Sequence, residues 1–414
     1  MRSARLSAPF PILFFASAAH AMNHVLLTLY LTLVLVVAKD WHLGYNTLIA
    51  LWAPGAMLVG LGAPLAGWLG DRWGETRVLV LCFALLGISA MLAGLARTAL
   101  QLEGALALLG LAGSVYHPVG IAWVVKHARA RGRAIASTGI AGSFGVAMGP
   151  ITAGALATLF GWRVGFILPG ALTMGLGALL AWFYLTGRIA DRHGDAVEHA
   201  VAHSRADATR AFAAMAVTMT ATLVIYSGFG TALPKMIEMG TKLGVRDNAS
   251  RFFAIGLAAG AIQLIGASGQ FAGGRFADKG HAKLAYMGGF AALAVILPLL
   301  ALSRGLGLAA AGIATVFLFE WIAPIETTFL ARFTPQGRRG LVFGIRYALA
   351  AIGTPAGVWL VAKLYDPADG FFYLLATLAG LSVVALGCAV FIPVRNGEHV
   401  PLVAEPGALL EAGE

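Results

Sequence analysis

Twelve runs of about twenty mostly apolar residues, divided by short polar connections, leave this chain few ways to fold. A helix needs about 20 such residues to cross the hydrocarbon core, and within that core its backbone N–H and C=O groups must be satisfied internally. The runs lie at 9–37, 46–70, 77–96, 99–125, 134–160 and 163–186 in the first half. In the second half they lie at 211–233, 250–273, 284–302, 306–331, 341–363 and 370–394. Hydrophobic residues make up 59% of the 414 residues and charged residues only 12%, against about 25% charged in a soluble domain. The expectation is an all-α integral membrane protein of twelve transmembrane helices, with the lipid bilayer as its solvent. Arg2, Arg5 and the small-residue triplet Ala19-His20-Ala21 imitate a secretory leader. The apolar run continues to Val37, so the segment reads as the first spanning helix instead.

The halves repeat one another. Gly67-Trp68-Leu69-Gly70-Asp71-Arg72-Trp73-Gly74 joins the second run to the third, and Gly274-Arg275-Phe276-Ala277-Asp278-Lys279-Gly280 joins the eighth to the ninth. Asp71 and Asp278 are 207 residues apart, Pro118 and Pro324 are 206 apart, and Pro150 and Pro355 are 205 apart. A repeat at half the length predicts two pseudo-symmetric six-helix bundles, at 1–186 and 211–394. The hydrophilic segment 187–210 reads as a cytoplasmic linker, and 395–414 as a cytoplasmic tail.

Charge sets the orientation. With the N-terminus inside, 19 of the 29 Lys and Arg residues fall on the cytoplasmic side and 9 on the other. This positive-inside bias places both termini in the cytoplasm of a bacterial inner membrane. The net charge of +10 then reflects topology and anionic headgroups, with no nucleic-acid partner expected. Cys82 and Cys388 both fall within runs, so no structural disulfide is expected.

These motifs resemble those of the major facilitator superfamily. Gly67 to Arg77 is similar to its G-x-x-x-D-R-x-G loop, and Gly161-Trp162-Arg163 to its mark before helix six. Gly145 to Gly154, with Gly149 and Pro150 inside, resembles the helix-five motif associated with antiporters. More narrowly, His20-x-x-Asn23 and Tyr116-His117-Pro118 resemble the fosmidomycin-resistance type of efflux protein. Three departures stand out. Glu75 occupies a position usually basic, the second signature is one residue tighter, and helix four lacks the arginine of many proton-coupled exporters. The arginine-based coupling scheme therefore does not transfer directly.

Polar residues inside a membrane are costly and usually face a cavity or a partner. Here they gather on helices one, four, seven and ten, which the resemblance makes the cavity helices. Ser17, His20, His24 and Thr28 recur at three- and four-residue spacing, with Asn23 beside them. Tyr116, His117 and Tyr226 complete the candidate substrate cavity. Interhelical hydrogen bonding is the competing reading for the histidines. A His-x-x-x-His pair also suits a metal, but no third ligand stands at a fixed spacing, so no metal and no cofactor is expected. Glu320, near mid-helix, is the first candidate for proton coupling, with His117 the second. Glu326 and Arg346 lie at similar depth on helices ten and eleven and are expected to form a salt bridge, structural or gating. On the resembled fold, Asp71 and Arg72 would latch the cytoplasmic side through the start of helix eleven near Gly340, the alternative being a solvated turn. Gly145, Gly149, Pro150 and Gly154 admit close helix packing or a seal against ion leak.

No phosphate-binding loop, dinucleotide fingerprint or nucleophile constellation is visible, so an enzyme is not expected. The reading is a monomeric secondary transporter exporting a small organic solute in exchange for protons. The alternatives are proton-coupled uptake of a small polar or anionic metabolite, or a non-transporting sensor of the same fold.

Overall fold

The computed structural model describes residues 9–128, 131–190, 205–241, 248–276, 281–333 and 339–394. Within them the first bundle comprises α1 (Phe10–Asp40), α2 (Tyr45–Trp73), α3 (Glu75–Leu95), α4 (Ala99–His127), α5 (Arg131–Phe160) and α6 (Trp162–Leu185). The second comprises α7 (Arg205–Gly240), α8 (Ser250–Phe276), α9 (Ala282–Leu302), α10 (Gly305–Phe333), α11 (Arg339–Leu364) and α12 (Phe372–Ala389). Eleven of these are long and apolar enough to cross a membrane, and α11 adds a described apolar stretch at Leu349–Leu364. The twelve runs thus correspond one to one with twelve helices.

Local chemistry sets the boundaries. Pro11 sits in the first turn of α1, where its missing N–H costs nothing. Gly74 adopts φ 90° between α2 and α3, and Gly161 adopts φ 86° between α5 and α6. A side chain is strained at such angles, which explains the glycine closing each motif.

The pairing of helices repeats between the halves. In the first bundle α1 packs on α5, α3 on α6 and α2 on α4. In the second, α7 packs on α11, α9 on α12 and α8 on α10, the same pairs six helices later. The bundles meet through α2 against α11 and α5 against α8, which are one contact and its pseudo-symmetric mate.

Small residues permit those inter-bundle contacts. Gly60 of α2 lies directly against the backbone of Ala351 on α11. A Cβ at Gly154 on α5 would meet the Phe252 carbonyl of α8 at 2.7 Å, and one at Gly256 would strike the carbonyl of Pro150. The other edge of α5 seats on α1, with Gly145 against Ala21 and Gly149 against Thr28. The helix-five glycines therefore serve two interfaces at once. Asp278, Lys279 and Gly280, most of the linker (191–204) and the tail lie outside the described residues.

Candidate functional site

Near the middle of the first bundle, α1 and α4 bring three imidazoles together. Ring centres are separated by 5.0 Å for His20–His24, 5.2 Å for His20–His117 and 5.5 Å for His24–His117. One ligand atom from each lies within 4.8 Å of the others. Sequence spacing offers no third ligand beside His20 and His24; the fold supplies it from a helix almost a hundred residues away.

The placement of His117 has a local cause. Regular α-helix stops at Gly113, and Tyr116–Gly120 forms a π-helical turn before the α-helix resumes at Ile121. Pro118 lacks the N–H of a regular ladder, and such turns mark functional sites in helices. Tyr116 is fully buried and stacks on His20 at 4.4 Å. His20 Nδ1 lies 2.8 Å from the Thr138 carbonyl on α5. A carbonyl only accepts, so Nδ1 carries the hydrogen, and Nε2 keeps a lone pair in the neutral ring. Asn23 is fully buried, and its amide has no hydrogen-bond partner among the described residues.

The second bundle places Tyr226 of α7 edge-on to Phe319 of α10, with ring centres 5.8 Å apart. Tyr226 keeps 37% of its surface open although it lies well inside its helix. Glu320 follows Phe319, is partly buried, and is close enough to act electrostatically on Tyr226. It enters none of the four ion pairs among the described residues. Glu326 is buried, and its Oε1 accepts the Tyr286 hydroxyl at 2.8 Å; Tyr286 also lies 2.9 Å from Thr218 Oγ1. This carboxylate is thus held by α9 and lies near α7. The Arg346 side chain expected to pair with it lies outside the described residues.

The signature loop carries a buried, paired acid. Asp71, Arg72 and Trp73 are exposed at the end of α2, and Asp71 enters none of those four ion pairs. The start of α11, its expected contact, has side chains outside the described residues. Glu75, the departure from the family pattern, is only 3% exposed and accepts from Lys126 Nζ at the end of α4. The acid at this position thus faces a lysine.

A second constellation escaped sequence reasoning. On the face where α1 ends and α2 begins, Tyr45 Oη donates to the Thr231 carbonyl at 3.3 Å, and Asn46 Nδ2 to the Tyr365 carbonyl at 3.2 Å. Lys39 lies 3.8 Å from Glu238, which also binds Lys235 at 2.6 Å. Tyr45 packs edge-on against Tyr365, with ring centres 5.2 Å apart. These contacts join α1 and α2 to α7 and α11, so the two bundles close on one another there. A cavity of about 460 Å³ is lined by Leu35, Lys39, Tyr45, Asn46, Lys235 and Tyr365 among others. Charged and aromatic residues at helix ends look like ordinary interfacial anchors in a sequence, which hid this role. Nearby, Trp162 Nε1 donates to Asp40 at 2.8 Å and Arg163 reaches the Ala96 carbonyl at 3.3 Å. The Gly161-Trp162-Arg163 motif therefore ties α6 to the ends of α1 and α3.

Known proteins agree with this architecture. A 138-residue segment is 34% identical to the multidrug efflux pump LfrA of Mycolicibacterium smegmatis, covering 32% of this chain and 27% of that protein. A 166-residue segment is 28% identical to a multidrug resistance protein B homolog of Mycobacterium tuberculosis, covering 39% and 30%. The matched segments thus span under a third of either relative. Among solved structures, the fold is similar to a D-xylose–proton symporter, with TM-score 0.68 and 15% identity over 94% of this chain and 98% of that one. It is also similar to an inward-facing, occupied bacterial homolog of the human lysosomal transporter Spinster, with TM-score 0.67 and 15% identity over 94% and 95%. The family model of the Major Facilitator Superfamily matches residues 13–319, about three quarters of the sequence. By its repeated helix pairing and by this match, the chain belongs to the Major Facilitator Superfamily.

Proposed function

We propose that this protein exports a small organic solute in exchange for protons by alternating access between its two bundles. The observation that carries the proposal is the placement of polar groups. His20, Asn23 and His24 on α1, Tyr116 and His117 on α4, Tyr226 on α7 and Glu320 on α10 all lie within membrane helices. Such residues are expensive in hydrocarbon and mark substrate and ion paths. Helix-lined sites near the bilayer midplane are where transporters of this kind bind substrate. Glu320 is the proton carrier in this reading, since its carboxyl group sits mid-helix beside Tyr226 and outside the described ion pairs.

The inter-bundle cluster of Lys39, Tyr45, Asn46, Lys235, Glu238 and Tyr365 supports an external gate in its closed state. Asp71 and Arg72 act at the opposite, cytoplasmic end. The glycine approaches of α5 to α1 and α8 support a packed seal that limits ion leak. Export is favoured over uptake because both curated relatives are named for drug efflux or resistance. The test is a compound screen comparing deletion and overexpression strains, followed by flux in proteoliposomes under an imposed pH gradient. Resistance on overexpression and solute movement against proton flow support the proposal. Solute moving with protons, or no solute moved at all, refutes it.

A further inference from the structure

We infer that His20, His24 and His117 form a three-imidazole site for a borderline divalent transition metal of the zinc, cobalt and nickel class. The inference concerns what the proposed cavity holds and does not depend on the direction of transport.

Geometry carries the argument. Three imidazoles around one tetrahedral ion, with metal–nitrogen bonds of about 2.0–2.1 Å, place their ring centres about 5 Å apart. The observed separations are 5.0, 5.2 and 5.5 Å. The ligand atoms lie within 4.8 Å of one another, whereas a bound tetrahedral set needs about 3.4 Å. Rotation of the His24 and His117 rings about their side-chain bonds closes that gap, with His20 held by Thr138, because the ring centres are already in place.

The tautomer of His20 fits the same purpose. A metal-ligating histidine usually donates its second ring N–H to a carbonyl or carboxylate, which fixes the ring and raises the basicity of the other nitrogen. Thr138 supplies that carbonyl at 2.8 Å, leaving Nε2 as the ligand. Gly142 on α5 keeps the space open, since a Cβ there would lie 2.5 Å from Nε2 of His20. Imidazole-only ligation selects the zinc, copper, cobalt and nickel group over magnesium and calcium, which prefer oxygen. Three protein ligands leave a fourth position open, the pattern of sites that accept an exogenous ligand. An anionic oxygen donor on a solute would fill it.

The test uses the full chain in detergent with a purification tag free of histidine. His193, His199 and His203 in segment 187–210 are alternative ligands, so a variant with all three changed to Gln serves as the control background. Cobalt(II) titration of that background should give the visible absorption of a tetrahedral ion at one equivalent per chain, with zinc displacing it. His24→Gln and His117→Gln should each abolish the tetrahedral spectrum. Each should also weaken binding beyond the roughly 10–100-fold lost with an outer-shell partner. Both must elute as monodisperse protein with the thermal stability of the background. If either is misfolded, Gly142→Ala, which crowds His20 without removing a ligand, should weaken cobalt binding in its place. An octahedral spectrum, unchanged binding in these variants, or no binding at micromolar metal overturns the inference. None of these outcomes depends on solute flux, so its failure is distinct from failure of the export reading.

Discussion

Removing the Lys39–Glu238 ion pair should open the closed face by a small and calculable amount. The two charges are 3.8 Å apart and join α1 to α7 across the bundle interface. At an effective dielectric of about 20, typical near a protein surface, their gross attraction is roughly 4 kcal/mol. Lys39 is 47% exposed, and Glu238 divides its charge with Lys235 at 2.6 Å, so solvent screening removes most of that figure. What remains is about 0.5–1 kcal/mol, the upper part of the usual range for exposed pairs. That free energy shifts the closed-to-open equilibrium by roughly 2- to 5-fold, taking 1.4 kcal/mol as tenfold. The assay is labelling of a cysteine at Leu35, a residue 2% exposed that lines the cavity at this face, by a membrane-impermeant maleimide. Cys388 is replaced by serine, and Cys82 is buried. Lys39→Ala should raise the labelling rate 2- to 5-fold, and Glu238→Ala should raise it at least as much. The double variant should fall short of the product of the singles, leaving a coupling of about 0.5–1 kcal/mol. Multiplicative single effects, or unchanged labelling in both, would refute the gate.

Three further outcomes follow from the packing and the buried charges. Gly154→Val should force α5 and α8 apart and destabilise the protein by about 1–3 kcal/mol, read as a lowered melting temperature in detergent, because its Cβ meets the Phe252 carbonyl. Lys126→Ala should destabilise the end of the first bundle where α3 begins and α4 ends by stranding the 3% exposed Glu75, by about 1–3 kcal/mol since Lys126 is itself 29% exposed. Changing Glu75→Gln as well should recover part of that loss in thermal denaturation. Asp71→Asn should slow transport while leaving the amount of protein in the membrane unchanged, as measured by flux against immunoblot.

Most of the fold was legible because membrane helices advertise themselves through length and apolarity. The repeat from Asp71 to Asp278 and from Pro118 to Pro324 anticipated the paired bundles, whose helices pack in the same pairs. The helix-one polar stripe was equally legible, as His20 and His24 are one turn apart. Their meeting with His117 was not, because the π-helical turn at Tyr116–Gly120 resets the face that α4 presents. Lys39, Tyr45, Glu238 and Tyr365 are illegible in the sequence for another reason. Each is unremarkable at a helix end, and only the approach of the two bundles turns them into a cluster. Glu75 stands out in the sequence, but its partner Lys126 is fifty-one residues away and on another helix.

Exchange of solute for protons through the polar midplane rests on the coupling step, which can be measured alone. Once the solute is known, its flux is measured in proteoliposomes holding either the wild type or Glu320→Gln, with and without a pH gradient. Gradient-driven accumulation is expected for the wild type only, while Glu320→Gln retains solute exchange at equal pH. Gradient-driven accumulation of the same size in Glu320→Gln would contradict it.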